Sequence, residues 1–513
     1  MTAEIVTELP ESGPHQAGPA AVPVPVVPAA DRPWRALFRR CLLAPLVVLA
    51  PLVTLTLSAD HRFNIYNNGG RYATRPWRLF EAAVTSVPQY LDAGNFRPLG
   101  RVLEWSLDVA AFAMTALFGV PAPIGLRVIS FLAATLLTVA AVVFVEAITA
   151  RRRRLLGGSP SVAAALLPFA IAAGLVAAGR LSTTVLFGGL YLTTSALVLG
   201  IAAWACRARR AGLLIVLVGA GLAAFNELAY LAVPLATVVV LLRGRVVLGL
   251  DWRRVLRGVP ARFVGLLWIG FLPVFVPVRL LIRQRCAGGG CYVGSDIAYG
   301  GAAAALPGRM VSWLPPLMWQ RATGGEFPHL AAAVPAMALL ALALLAGRAL
   351  RGLRALPALD GRQTGALVGV ALALLALAGT LAALSAEVQG LPAGSGWRDS
   401  GLATVAGSVL VLALWRRFVP VLLALLVVAG TISAAANKDF RDASGGGRFP
   451  YLYDRIAQEV AGFDRTPAGD ARRCALRDAF LHVDSRDGER FDMSLDRATR
   501  LLDGRRFCSR APR

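Results

Sequence analysis

Apolar segments about 20 residues long, many of them ended by clustered arginines, make up most of this chain. A helix of about 20 apolar residues can cross the hydrocarbon core of a bilayer. The pattern therefore predicts an all-α, polytopic transmembrane helical bundle of about 11 spans. We place these spans near 41–58, 124–149, 161–179, 185–205, 211–225, 228–243, 262–282, 328–347, 364–385, 400–415 and 417–436.

The arginine clusters also predict the orientation of the chain. Lys and Arg collect at the cytoplasmic ends of spans, so the cluster at 151–154 marks a cytoplasmic end. The Pro- and Ala-rich residues 1–36 are predicted to form a disordered cytoplasmic tail. The transmembrane domain then covers 37–436, with a large first outer loop at 59–123. Residues 437–513 are predicted to form a small extracytoplasmic domain with helical patterns at 451–463, 471–482 and 494–503.

Two short apolar halves at 211–243 leave the topology open, because they are joined by Asn226 and Glu227. They are either two spans or one broken, re-entrant element, and the second interpretation reverses every later orientation. An acid between apolar halves is costly unless it faces a polar cavity, so Glu227 is either a functional residue or a loop acid at the outer surface.

The cysteines favour two spans. One close pair, Cys286 and Cys291, flanks a glycine turn, and a second pair, Cys474 and Cys508, lies in the polar tail. Both pairs fall outside the membrane in the 11-span arrangement, where disulfides persist. We therefore predict one disulfide in each pair.

Composition excludes an ordinary soluble enzyme. Hydrophobic residues make up 56% of the chain, charged residues only 16%, and the mean hydropathy is +0.61. The net charge of +23 does not predict nucleic-acid binding, because the arginines lie mostly at the ends of apolar runs. Abundant Arg, Ala, Gly and Leu with a single lysine, Lys438, indicate a high-GC bacterium. The plasma membrane is then the expected location.

Candidate chemistry concentrates in the first outer loop. The four histidines are scattered and show no metal-ligand spacing, so no protein metal site is predicted. Asp60 follows the first span directly, and the loop after it combines amides such as Asn67 with arginines such as Arg71 and Arg97. An acid at the membrane surface can deprotonate a hydroxyl, and arginine can clamp a phosphate. The pairing suits a lipid-phosphate substrate.

The segment DHRFNIYNN at 60–68, followed by NFRPL at 95–99, resembles the GT-C superfamily of membrane glycosyltransferases. The likeness is greatest to protein O-mannosyltransferase-like members. In those enzymes an acid pair and an asparagine open the first outer loop, and an F-R-P-L segment precedes a helix. Here the second acid is His61, and Asn226-Glu227 stands where members often have Lys-Glu. Residues 100–118 match the helix that follows.

The resemblance implies a glycosyltransferase that uses polyprenyl-phosphate sugars. It implies that Asp60 is the catalytic base and that Arg97 is structural or near the donor. It also implies that Glu227 faces the cavity, with Arg398 of the late GWRDSG loop as a further candidate, and that a divalent cation is a candidate cofactor. The alternatives are a transporter or lipid flippase and a non-catalytic protein of envelope assembly. Sugar, acceptor and oligomeric state are not predicted.

Overall fold

The computed structural model describes residues 31–57, 61–150, 158–289, 291–292, 297–415, 418–445, 448–483 and 488–510. Within these ranges the fold is all-α, and extended pairing is limited to one isolated bridge between Ile297 and Ser385. The all-α prediction is confirmed. A 3₁₀ turn at Ala50–Leu52, another at Glu227–Leu231 and a π turn at Arg243–Val247 interrupt the α-helices.

The α-helices follow one another with short connections. They are α1 (Asp31–Leu49), α2 (His61–Tyr72), α3 (Arg78–Thr85), α4 (Val87–Asp92), α5 (Pro98–Phe118), α6 (Ala122–Thr149), α7 (Val162–Ala173), α8 (Gly188–Arg207), α9 (Leu213–Ala223), α10 (Ala232–Leu242), α11 (Trp252–Arg257), α12 (Val259–Arg285), α13 (Ala302–Met310), α14 (Pro315–Ala322), α15 (Ala333–Leu353), α16 (Gly361–Ala383), α17 (Ala386–Gln389), α18 (Ser400–Leu414), α19 (Val419–Gly445), α20 (Arg448–Ala461), α21 (Pro467–Val483) and α22 (Gly488–Asp503).

Seven helical segments in the described ranges are long and apolar enough to cross a membrane: α6, α8, 227–247, α12, α15, α16 and α19. Three more of the predicted spans correspond to the shorter apolar helices α7, α9 and α18. The predicted first span corresponds to α1, whose basic first half excludes it from the seven. The structure thus establishes a membrane-type helical bundle, while the number 11 stays a prediction.

The helix ends gather at two opposite ends of the bundle. At the end that we call lower, Trp34 donates to the Gly158 carbonyl, and Arg207 and Arg243 both donate to the Ala150 carbonyl. At the upper end, the Leu99 amide donates to the Ala224 carbonyl. The segment ends that the lower-end contacts join are all ones that the sequence predicts to be cytoplasmic.

The upper end holds the segments predicted to be outside. The Tyr292 amide, just after the first cysteine pair, donates to the Ala93 carbonyl of the first loop. Glu227 pairs with Arg398, so the 226–227 junction also lies at this end. This grouping agrees with the alternation of the 11-span arrangement. Which end faces the cytoplasm stays a prediction.

Two helices cross the predicted domain boundaries at 36 and 436. Helix α1 begins at Asp31 rather than after residue 36, because Trp34 and Leu37 are buried against the bundle and continue the apolar face of the helix. Helix α19 continues past 436 to Gly445. Asn437 explains that extension, since its buried side chain bonds Ala177 N–H and the Leu175 carbonyl, fixing α19 to the chain after α7.

The C-terminal helices α20, α21 and α22 confirm the three predicted amphipathic segments, but they are not a separate body. Tyr453, Phe480 and Phe491 form an aromatic cluster with ring centroids 4.5–5.3 Å apart. The same apolar core includes Phe63 of α2 and Phe112 of α5. The tail therefore folds onto the first loop at the upper end of the bundle.

Both predicted disulfides are present, Cys286–Cys291 and Cys474–Cys508. The second closes a loop with a sequence separation of 34 residues, against 5 for the first. Loop-closure entropy grows with loop length, which predicts about 3–4 kcal/mol for the longer loop.

We expect Cys474→Ser/Cys508→Ser to lower the free energy of unfolding of the C-terminal helices by about 3–4 kcal/mol. Limited proteolysis of the purified protein across a denaturant series should show cleavage within 448–510 at lower denaturant. Cys286→Ser/Cys291→Ser is the matched control and should shift this cleavage little. Equal resistance of the tail in both variants would contradict the prediction.

Candidate active site

A cavity of about 630 Å³ opens at the upper end between the bundle, the first loop and the C-terminal helices. Its walls come from α2, the α3–α4 region, α5, the start of α8, the loop before α18 and α22. Polar and aromatic side chains dominate the lining, which includes Asn64, Asn67, Asn68, Arg71, Tyr90, Asn95, Arg97, Arg101, Glu104, Trp105, Tyr191, Tyr292, Glu387, Trp397, Arg398, Arg490, Ser494 and Arg497.

A buried network of alternating charges forms the deep part of the cavity. Arg97 lies 3.8 Å from Glu104, and Arg398 lies 3.6 Å from Glu227 and 3.9 Å from Glu387. All of these side chains except that of Glu387 are at most 11% exposed. Charges so far from water are tolerated when each has an opposite partner.

Two tyrosines continue the network. The Arg97 guanidinium donates to the Tyr191 hydroxyl at 3.4 Å, and Arg398 donates to the Tyr292 hydroxyl at 3.3 Å. Arg398 also lies over the Trp397 ring, 5.0 Å from its centroid, which adds a cation–π contact. Both arginines are thereby held in one orientation, with their charge close to the cavity.

Burial changes the acid–base character of neighbouring groups. Desolvation, followed by the nearby charge of Arg97, lowers the pKa of Arg101 to about 10. The Arg101 guanidinium also lies over the ring of Tyr90, a cation–π contact that stabilises its charge. Desolvation likewise raises the pKa of Asp399 to about 6, although Arg309 acts in the opposite direction.

Two features of the F-R-P-L segment and the glycine after it position Arg97 at the beginning of α5. Pro98 occupies the first turn of α5, where its missing N–H is not needed, and Arg97 precedes it as the N-cap residue, with φ −152° and ψ 54°. Gly100 then packs against the Phe225 carbonyl so closely that a Cβ has no room. Any larger residue there would push α5 away from the 226–227 junction and separate Arg97 from the Arg398 network.

A second buried network underlies the beginning of α2. His61 Nε2 accepts the Phe187 amide at 3.2 Å, and His61 Nδ1 lies 3.5 Å from Asp108. Asn68 donates to the other oxygen of Asp108 at 2.9 Å. Phe187 has a left-handed backbone (φ 53°), unusual for an aromatic residue, which turns its amide toward the imidazole. These contacts link α2 to Asp108 of α5 and to Phe187 at the start of α8.

The structure brings together most of the residues predicted from the sequence. Asn67, Arg71, Arg97 and Arg398 line the cavity, and Glu227 reaches it through its ion pair with Arg398. Glu227 is buried and does not itself line the cavity, so which of its two interpretations holds stays a prediction. Asp60 lies outside the described residues.

Sequence reasoning missed other cavity residues, namely Glu387, Tyr292, Arg490 and Arg497. Glu387 and Tyr292 lie in connections between spans, where nothing in the local pattern distinguishes them. Arg490 and Arg497 are seven residues apart on α22, so they share one face of an amphipathic helix. That spacing was the available signal.

The described residues contain no group of three His, Cys, Asp or Glu side chains arranged to hold a metal ion. The lining acids Glu104 and Glu387 face arginines instead. These residues do not fit the divalent cation that the resemblance makes a candidate.

Models of known protein families, curated proteins and solved structures give no match to this chain. The geometry of the cavity and the motifs that line it are therefore the basis for assigning function.

Proposed function

We propose that this protein is a membrane glycosyltransferase that moves a sugar from a polyprenyl-phosphate donor to an acceptor hydroxyl on the outer face of the plasma membrane. The observation that carries the proposal is the cationic cavity at one end of a membrane-type bundle. Among the described residues, six arginines line it against two glutamates, Glu104 and Glu387. An excess of guanidinium groups favours an anionic substrate, and the position suits one with a lipid tail.

The location of the cavity favours transfer over transport. A transport site is expected near the middle of the membrane, where discontinuous helices meet. Here the charged groups lie at the upper end, beside loop segments such as 93–97 and 391–399. The 226–227 break opens toward this same end, where Glu227 meets Arg398. The break thus lies beside the cavity, behind the lining residue Arg398.

The proposed reaction is a single displacement. Asp60 takes the proton of the acceptor hydroxyl while the hydroxyl oxygen bonds to the anomeric carbon. The bond between that carbon and the phosphate oxygen breaks, and the electron pair leaves with the polyprenyl phosphate. Attack and departure on opposite faces invert the anomeric configuration. Cationic side chains of the cavity, among them Arg71, Arg97 and Arg398, stabilise the departing phosphate.

The test is transfer of label from polyprenyl-phosphate sugars in membranes that contain the protein, compared with membranes that lack it. We expect labelled product to appear only with the protein and only from a lipid-linked donor, because nucleotide sugars are cytoplasmic. If folded protein transfers no label from any polyprenyl-phosphate sugar, the proposal is wrong.

A further inference from the structure

Most of the cationic excess of the cavity lies on α22, which the sequence did not indicate as part of the site. In the deep part, three arginines face three carboxylates, so the charges balance. The arginines are Arg97, Arg101 and Arg398, and the carboxylates are Glu104, Glu227 and Glu387. The remaining charge belongs to the three other lining arginines, Arg71 of α2 and Arg490 and Arg497 of α22.

No carboxylate among the described residues lies within ion-pair distance of Arg71, Arg490 or Arg497. Arg497 contacts the Asn67 amide oxygen instead, and Arg490 lies over the Phe63 ring, 4.1 Å from its centroid. Burial, and then the charge of the neighbouring Arg71, lowers the pKa of Arg497. Like charges that share one wall repel each other unless an anion lies between them.

The contact between α2 and α22 fixes these arginines relative to each other. A Cβ on Gly70 would lie 3.0 Å from the Arg497 carbonyl carbon and 3.1 Å from the Ala498 nitrogen, so the two helix backbones nearly touch. Phe491 and Leu495, on the buried side of α22, belong to the core that also contains Phe63 and Tyr66 of α2. Helix α22 is thus a built wall of the cavity.

We propose that Arg71, Arg490 and Arg497 form an anion-binding subsite that takes a phosphate or pyrophosphate group, completed by the C-terminal helices. Guanidinium forks match phosphate oxygens, and three uncompensated charges suit a group with at least two negative charges. The subsite deepens the proposed function and in part rests on it, because the phosphate could belong to the lipid-linked donor or to a soluble anionic ligand.

The experiment measures binding by titration calorimetry of the full-length protein in detergent at low salt. Inorganic pyrophosphate and a polyprenyl monophosphate are the two probes. Wild type is expected to bind pyrophosphate, and Arg490→Gln and Arg497→Gln are each expected to raise the Kd about tenfold or more, because each removes a charge-assisted hydrogen bond. Competition of pyrophosphate with the polyprenyl phosphate would assign the subsite to the lipid-linked ligand, and pyrophosphate binding alone would assign it to a soluble anion.

Arg500→Gln is the matched control, because Arg500 lies on the same helix, pairs with Asp496 at 3.7 Å and does not line the cavity. Its Kd should equal that of wild type. Arg497→Lys should fall between wild type and Arg497→Gln, since it keeps the charge but loses the fork. Formation of the Cys474–Cys508 disulfide in each variant reports that α22 is in place.

Two results would overturn the subsite: no pyrophosphate binding by folded wild type, or an unchanged Kd in both glutamine variants. Either can occur while sugar transfer by wild type persists, which would leave the proposed function standing. Loss of binding in the variants without transfer by any protein would instead keep the subsite and reject the glycosyltransferase.

Discussion

Asp60→Asn is expected to reduce sugar transfer by about 10²–10⁴-fold, the contribution typical of a positioned general base. Asparagine keeps the size of the side chain but cannot accept the hydroxyl proton. Its neighbour His61 is held by Phe187 and Asp108, so the substitution should leave the entry to α2 intact. The measurement is the initial rate of label transfer from a polyprenyl-phosphate sugar at matched protein levels.

Glu81→Gln is the control for this prediction. It changes the same charge in the same outer loop, but Glu81 is exposed on α3 and does not line the cavity. Its rate should stay within about twofold of wild type, as expected for an exposed charge without a tight partner. Full transfer by Asp60→Asn, or equal losses in both variants, would show that Asp60 is not the base.

The helical class of the fold could be predicted because apolar length and arginine position are local properties of the chain. Helix α6, for example, occupies Ala122–Thr149 where the sequence predicted 124–149. Irregular stretches were harder to place. The predicted span 161–179 contains only the 12-residue α7, because the chain after it forms turns held by Asn437 of α19. That partner is 260 residues away and leaves no local trace.

The candidate site was predictable where its residues sit in motifs. Arg97 in F-R-P-L and Arg398 in GWRDSG both line the cavity. Their partners were not predictable, since an ion pair such as Arg398–Glu387 depends on how two loops meet. The C-terminal helices were expected to stand apart because their polarity differs from that of the bundle. They pack on α2 because its Phe63 and Tyr66 extend their apolar core.

Arg398→Gln is expected to lower the free energy of unfolding by about 3–5 kcal/mol, the loss typical when one member of a buried ion pair is removed. Arg398 lies 3.6 Å from Glu227, and it also pairs with Glu387 and donates to the Tyr292 hydroxyl. Without it, two carboxylates share a poorly solvated region with less compensation. A denaturant titration of the purified protein, followed by tryptophan fluorescence, gives the change.

The double variant Arg398→Gln/Glu227→Gln separates lost charge balance from lost packing. Replacing both partners removes the more buried of the two carboxylates together with Arg398, so the double variant should recover a substantial part of the stability that Arg398→Gln loses. The free energy of unfolding of Arg398→Lys should lie between those of wild type and Arg398→Gln, because lysine keeps the charge but lacks the planar fork. A double variant no more stable than Arg398→Gln would show that Arg398 acts by its contacts with Tyr292 and Trp397. The pairing with Glu227 would then not be what stabilises the deep part of the cavity.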